Sequence, residues 1–108
     1  MTRRVDLERH AEDDLDEQAT FIARDNPAEA LAFLDAVEQA FARLVDYPDI
    51  GSARAFRNTR LEGIRMWPVP EYPNRLIFYR VTDDAIQILR ILHAAQDYTR
   101  FFRDEGAT

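Results

Sequence analysis

The run Arg75-Leu76-Ile77-Phe78-Tyr79-Arg80-Val81-Thr82-Asp83-Asp84-Ala85-Ile86-Gln87-Ile88-Leu89-Arg90-Ile91-Leu92-His93 decides the fold class. Both of its halves are rich in β-branched and aromatic residues, and they meet at the turn formers Thr82 to Asp84, which is the pattern of a β-hairpin. If Asp83-Asp84 is a two-residue turn, Thr82 pairs with Ala85. Counting back then sets Arg75, Ile77 and Tyr79 on the same face as Leu92, Arg90 and Ile88. Arg75, Tyr79 and Arg90 are thereby expected to cluster. The second half is apolar nearly throughout, as suits a strand flanked on both sides. A third run, Ile64 to Val69, precedes the hairpin across turn formers at Pro70 to Asn74, so three consecutive strands are expected to form an antiparallel meander.

Upstream the hydrophobic period changes from 2 to 3.6. Residues 3–7 read as a short strand, after which Ala11, Leu15, Ala19 and Ile22 recur at helical spacing, with Asp13, Asp14, Asp16 and Glu17 turned to water. Asn26-Pro27-Ala28-Glu29 starts a second helix: Asn26 caps it, Pro27 suits its first position, and Glu29 can reach back to the cap. Its apolar set is Ala30, Leu31, Phe33, Leu34, Val37, Ala40, Phe41 and Leu44, and Pro48 and Gly51 stop it. A connection of about four residues makes the two helices antiparallel. Residues 50–63 are irregular and read as a linker within the domain, and Asp97 to Arg103 as a closing helical turn before a frayed end at 104–108. The expected architecture is α+β and a single domain over residues 1–108. An N-terminal antiparallel helical hairpin packs on one face of a small antiparallel sheet, made of the short N-terminal strand and the meander, and the other face is left partly open.

Composition sets the bounds. A chain of 108 residues, 46% hydrophobic, buries one core. It holds no cysteine, which removes disulfides, thiolate metal sites and a cysteine nucleophile. His10 and His93 are far apart and lack a metal-ligand spacing, so no metal site is assigned. No signal-peptide pattern or 18-residue apolar run occurs, so a cytoplasmic protein without membrane contact is expected. The net charge of −6 hides a split: residues 1–49 carry thirteen acidic and five basic side chains, residues 50–103 five acidic and nine basic. The two halves are expected to face different partners.

Five short motifs stand in order along the chain: Asp25-Asn26-Pro27; Pro48-Asp49-Ile50-Gly51; Gly63-Ile64-Arg65; Asn74 to Val81; and Ile91-Leu92-His93. Together they resemble the ParE branch of the RelE/ParE superfamily of type II toxin-antitoxin toxins. The resemblance covers nearly the whole chain and implies one of two activities, inhibition of DNA gyrase or ribosome-dependent cleavage of messenger RNA. Metal-free RNA cleavage needs a base, an acid and cations around the phosphate. Arg65 and Arg75 fall where the RNA-cleaving branch keeps basic residues. Gln96 falls where that branch has an arginine and Phe102 about where it has its functional tyrosine, and neither can take over those roles. Tyr98 or Arg100 would have to substitute.

The leading expectation is therefore a ParE-like toxin that causes growth arrest by binding DNA gyrase, with no catalytic residue and no cofactor. The alternatives are a RelE-like endoribonuclease and a non-toxic member that only binds antitoxin. Arg65, Arg75, Tyr79 and Arg90 are the candidate target-binding residues, with Trp67 a packing neighbour of Arg65. His93 is expected to fix the turn after the last strand. The resemblance further implies a cognate, ParD-like antitoxin in a heteromeric complex, with operator DNA reached only through that antitoxin. Phe33, Leu34, Phe41 and Leu44 on the second helix are the candidate antitoxin-binding residues, while the arginines receive acidic side chains.

Overall fold

The computed structural model describes residues 2–54, 61–96 and 100–102. Asn58, Thr59, Arg60, Tyr98, the frayed end and most of the closing turn lie outside the described residues. The elements run β1 (Arg4–Leu7), α1 (Arg9–Asp25), α2 (Pro27–Asp46), β2 (Ser52–Ala53), β3 (Arg65–Val69), β4 (Tyr72–Val81) and β5 (Ala85–His93). Two helices pack against a mixed five-stranded sheet of order β1-β5-β4-β3-β2, an α+β arrangement.

Local chemistry accounts for the helix boundaries. Asn26 is the one residue between the helices; it is extended, with φ −153° and ψ 94°, and its side-chain oxygen accepts the Glu29 amide at 3.1 Å. Pro27 follows at the first helical position, where its missing N–H costs nothing. Leu15 and Ala11 of α1 and Phe33, Val37, Ala40 and Leu44 of α2 point at Val69, Ile77, Tyr79, Ile86, Ile88 and Ile91 of the sheet, forming the main core. Gly63, with φ +83°, turns the chain into β3 in a conformation that a side chain would resist.

Three expectations need correction. The sheet is not wholly antiparallel, because β1 runs parallel to β5, pairing Arg4 with Ala85 through Leu7 with Ile88. The reason lies in β2, which the irregular composition of residues 50–63 concealed. Each connection reverses the chain, so one additional element changes whether the first and last strands point the same way. Second, the face away from the helices is covered by a smaller core of Leu61, Ile64, Phe78, Leu92 and Phe102, with Met66, Leu76, Leu89 and Phe101 packed against it. The closing segment, helical at residues 100–102, thus roofs what was expected to be open. Third, the β4–β5 register slips between Phe78 and Tyr79: Tyr79 pairs with Ile88 but Phe78 pairs with Arg90, and Leu89 is the extra residue. A bulge of this kind reverses the facing of everything beyond it. Arg90 therefore leaves the face shared by Arg75, Ile77 and Tyr79.

β5 is central for only part of its length. β1 stops at Leu7, and past Ile88 the edge of β5 is taken over by α1: Asp14 accepts the Ile91 amide at 3.0 Å and Gln18 donates to the Ile91 carbonyl at 2.8 Å. Two side chains of a helix substitute for the missing strand and satisfy an edge that would otherwise pair with other chains.

Candidate functional site

The four arginine and tyrosine positions singled out from the sequence fall into two environments. Arg65 and Tyr79 are directly paired on β3 and β4 and grip the loop that ends α2. The Tyr79 hydroxyl donates to the Pro48 carbonyl at 2.8 Å and accepts the Gly51 amide at 2.9 Å. Arg65 donates to the carbonyls of Gly51 at 2.6 Å and Asp49 at 3.3 Å, and its guanidinium lies 3.7 Å from the Asp49 carboxylate. Burial pushes the Tyr79 phenol above its ordinary pKa, with the Gly51 amide and the Arg65 charge pulling the other way. Gly51 has no room for a side chain: a Cβ there would sit 2.6 Å from the Tyr79 oxygen and 3.0 Å from the Met66 carbonyl. The Pro48-to-Gly51 motif is thereby explained as the grip of a fully buried tyrosine on a loop.

Arg75 and Arg90 form the second environment, at the end of β5 that α1 covers. The bulge turns Arg90 toward Phe78, and from there it reaches around the strand edge to Asp14, with Nε and Nη2 each 2.8 Å from a carboxylate oxygen. The pair is 17% and 12% exposed, and the Arg90 guanidinium also lies 4.7 Å from the centre of the Phe101 ring. Asp14 thus closes a fork on Arg90 while accepting the Ile91 amide, tying helix, strand and closing segment together. Arg75 pairs with His93 across the hairpin and packs 5.9 Å from the Phe33 ring centre. Its Nε is buried without a hydrogen-bond partner, and among the described residues Arg75 forms no ion pair. Although they come from opposite faces, Arg75 and Arg90 line one cavity of about 300 Å³ with Gln18, His93, Gln96 and Phe101.

His93 fixes its turn as expected, but by accepting rather than donating. Its Nδ1 takes the Ala95 amide at 3.0 Å, which places the ring proton on Nε2, and Gln96 Oε1 accepts the His93 amide at 2.8 Å. Trp67 packs against the main core beside α2. Of the four α2 residues, Phe33 and Leu44 are fully buried and Phe41 nearly so; only Leu34, at 36% exposure, reaches the surface. The helix's apolar stripe is wide because it packs on the sheet and on α1 at once, and that width hid which side chains remain outside. The exposed apolar residues near the hinge are instead Phe21 and Leu31, five residues before and after Asn26.

The family model of the ParE toxin of type II toxin-antitoxin systems, parDE, matches residues 5–98. The chain belongs to the ParE toxin family. The ParE fold is also seen in solved structures: the chromosomal ParDE system of P. aeruginosa has 22% identity and a TM-score of 0.66, with 85% of this chain and 96% of that one covered. The RelBE2 toxin-antitoxin complex from Mycobacterium tuberculosis has 23% identity and a TM-score of 0.57, with 86% and 99% covered. No curated protein sequence matches significantly. In this ParE-type toxin the matched span includes the loop grip and the Arg75–Arg90 cavity except for Phe101, which lies beyond it.

Proposed function

We propose that this toxin arrests growth by binding and inhibiting DNA gyrase, and that an antitoxin encoded beside it holds it inactive. The observation that carries the choice of binding over RNA cleavage is the fate of the two positions where an RNA-cleaving toxin needs working groups. Phe102 is buried with its ring 5.3 Å from Phe78, and Gln96 is occupied in the His93 turn. A ring sealed in a core exchanges no proton with a ribose hydroxyl, and a neutral amide offers a phosphate no charge. Arg65, although basic, is spent on the carbonyls of Asp49 and Gly51. Arg75 is the candidate whose guanidinium forms no ion pair among the described residues, on a rigid strand position, and is the residue we assign to the target. Arg90 supports it through the shared cavity, and Tyr79 acts only by holding the loop.

The net charge of −6 favours a protein target over bare nucleic acid, which suits operator binding through the antitoxin alone. The complex is expected to contain two copies of each chain. Purified toxin added to gyrase and relaxed plasmid should block supercoiling, and Arg75→Ala should relieve the block while leaving the circular dichroism spectrum unchanged. Undiminished supercoiling with toxin in excess would eliminate gyrase, and cleaved message in a translating extract would replace this reading with RNA cleavage.

A further inference from the structure

Hydrogen bonding does not account for how Arg75 is held. The residue is partly exposed, yet its Nε is closed off from solvent and has no hydrogen-bond partner. What stands against the guanidinium is aromatic: its central carbon lies 5.9 Å from the centre of the Phe33 ring, inside the roughly 6 Å over which a ring face attracts a cation. Phe33 is fully buried, and a ring away from water attracts a cation more strongly than an exposed one. The ring is itself fixed. It meets Tyr72 edge to face, with centroids 5.3 Å apart and planes at 84°, and the Tyr72 hydroxyl donates to Glu29 at 2.6 Å. Glu29 lies in the first turn of α2, and its amide is the one that Asn26 caps. A line of contacts therefore runs from the cap of α2 through two rings to the guanidinium of Arg75.

We infer that Phe33 is a positioning residue for Arg75: its ring, steadied by Tyr72, fixes the direction in which the guanidinium meets the target. The inference rests on the assignment of Arg75 to the target. Arg90 shows the alternative way of holding an arginine, since its guanidinium lies over the Phe101 ring but is also closed in the carboxylate fork of Asp14. Such a fork neutralises the charge that it holds. Arg75 forms no ion pair among the described residues, and a ring holds a cation while leaving its charge whole for a partner. A long side chain that is immobilised only on binding loses its rotamer freedom at that moment, whereas one already held on a ring has lost it beforehand. The difference appears as affinity. Because the ring brings no net charge, it leaves the salt dependence of binding as Arg75 sets it.

Graded fluorination of the ring at position 33 tests this, because fluorine draws electron density from the ring face with little change in volume. Full-length toxin carrying mono-, di- or trifluorinated phenylalanine there should bind gyrase progressively more weakly in biolayer interferometry, by roughly three- to tenfold with three fluorines, at an unchanged slope of affinity against salt. The same fluorination at Phe41, a largely buried residue of the same helix that no arginine overlies among the described residues, should leave affinity at the wild-type level. A merely structural ring would instead shift melting at both positions without a graded loss of affinity at 33, and that result would overturn the inference. The Nε–H resonance of Arg75, identified by its disappearance in Arg75→Lys, should exchange slowly with water and be displaced by the ring current, and Phe33→Leu should return it to the position of an exposed arginine. An unshifted, rapidly exchanging resonance in the wild type would be equally decisive against positioning. If Arg75→Ala binds gyrase as the wild type does, the inference falls with the assignment it rests on. If the wild type binds no gyrase, the gyrase reading falls alone, and the positioning is decided by the resonance and by whether Phe33→Leu, folded by circular dichroism, loses growth arrest as Arg75→Ala does.

Discussion

Replacing Tyr79 by phenylalanine removes one oxygen from the grip on the α2 exit loop, and the structure gives the cost. Two hydrogen bonds are lost, to the Pro48 carbonyl at 2.8 Å and from the Gly51 amide at 2.9 Å. Gly51 is buried, so its orphaned amide has no water to turn to and costs about 1–3 kcal/mol; the partly exposed Pro48 can be rehydrated, leaving about 1 kcal/mol for the other bond. The sum, about 2–4 kcal/mol, is a large share of the ~5–15 kcal/mol typical of a domain. It should lower Tm by at least about 8 °C in a chain of this size. A double-mutant cycle with Gly51→Ala sharpens the test. The alanine Cβ would stand 2.6 Å from the hydroxyl and 2.7 Å from Cε1 of Tyr79, so in the phenylalanine background the first clash and the hydrogen bond are already gone. The pair should then fall short of additivity by about 1–2 kcal/mol in urea unfolding. Toxicity of Tyr79→Phe should scale with the folded fraction alone. A variant with wild-type stability that has lost its toxicity would refute this account and return Tyr79 to the target surface.

Three further outcomes follow from the same contacts. Asp14→Ala should destabilise the fold by about 3–5 kcal/mol in urea titration, because it strands the largely buried Arg90 and frees the Ile91 amide. Asn26→Ala removes the cap on α2 and should cost about 1 kcal/mol, read as a lower thermal midpoint without change in helix content at low temperature. The Tyr72 hydroxyl donates to Glu29 at 2.6 Å, and that hydrogen bond, then burial, pushes its pKa from 10.0 up to about 12. A raised folded-state value means that the contribution is complete below pH 10 and is lost as pH rises through about 12, so Tyr72→Phe should flatten stability across that interval.

What could be read from the sequence was whatever local chemistry determines. Asn26, Pro27 and Glu29 announce the start of α2 within the chain itself, and the alternation from Arg75 to His93 announces a hairpin whose turn at Thr82 to Asp84 closes as counted, with the Thr82 amide donating to Ala85 at 2.9 Å. What could not be read depends on long-range placement. Nothing in Ser52-Ala53 marks a strand, yet those two residues reverse the relation of β1 to β5. Nothing in Ile88-Leu89-Arg90 marks the bulge that sends Arg90 to Asp14, because a bulged leucine is as apolar as a paired one. Arg65 and Tyr79 were visible as a guanidinium and a phenol on alternating strands, but their partners are loop carbonyls and an amide, which no side-chain pattern records. The rings that hold Arg75 combine α2 with β4, and only the packed fold brings those elements together.

The parallel seam between β1 and β5 joins residues about eighty positions apart, Arg4 with Ala85 and Leu7 with Ile88. Synthesis proceeds from the amino end, so β1 and the helical hairpin are made before any of the sheet they lie on, and β1 must wait for β5, the strand that both it and β4 require. The half-made chain has neither the loop grip nor the Arg75–Arg90 cavity in working form. The loop grip therefore cannot close until β4 has been made, nor the parallel seam until β5 has followed.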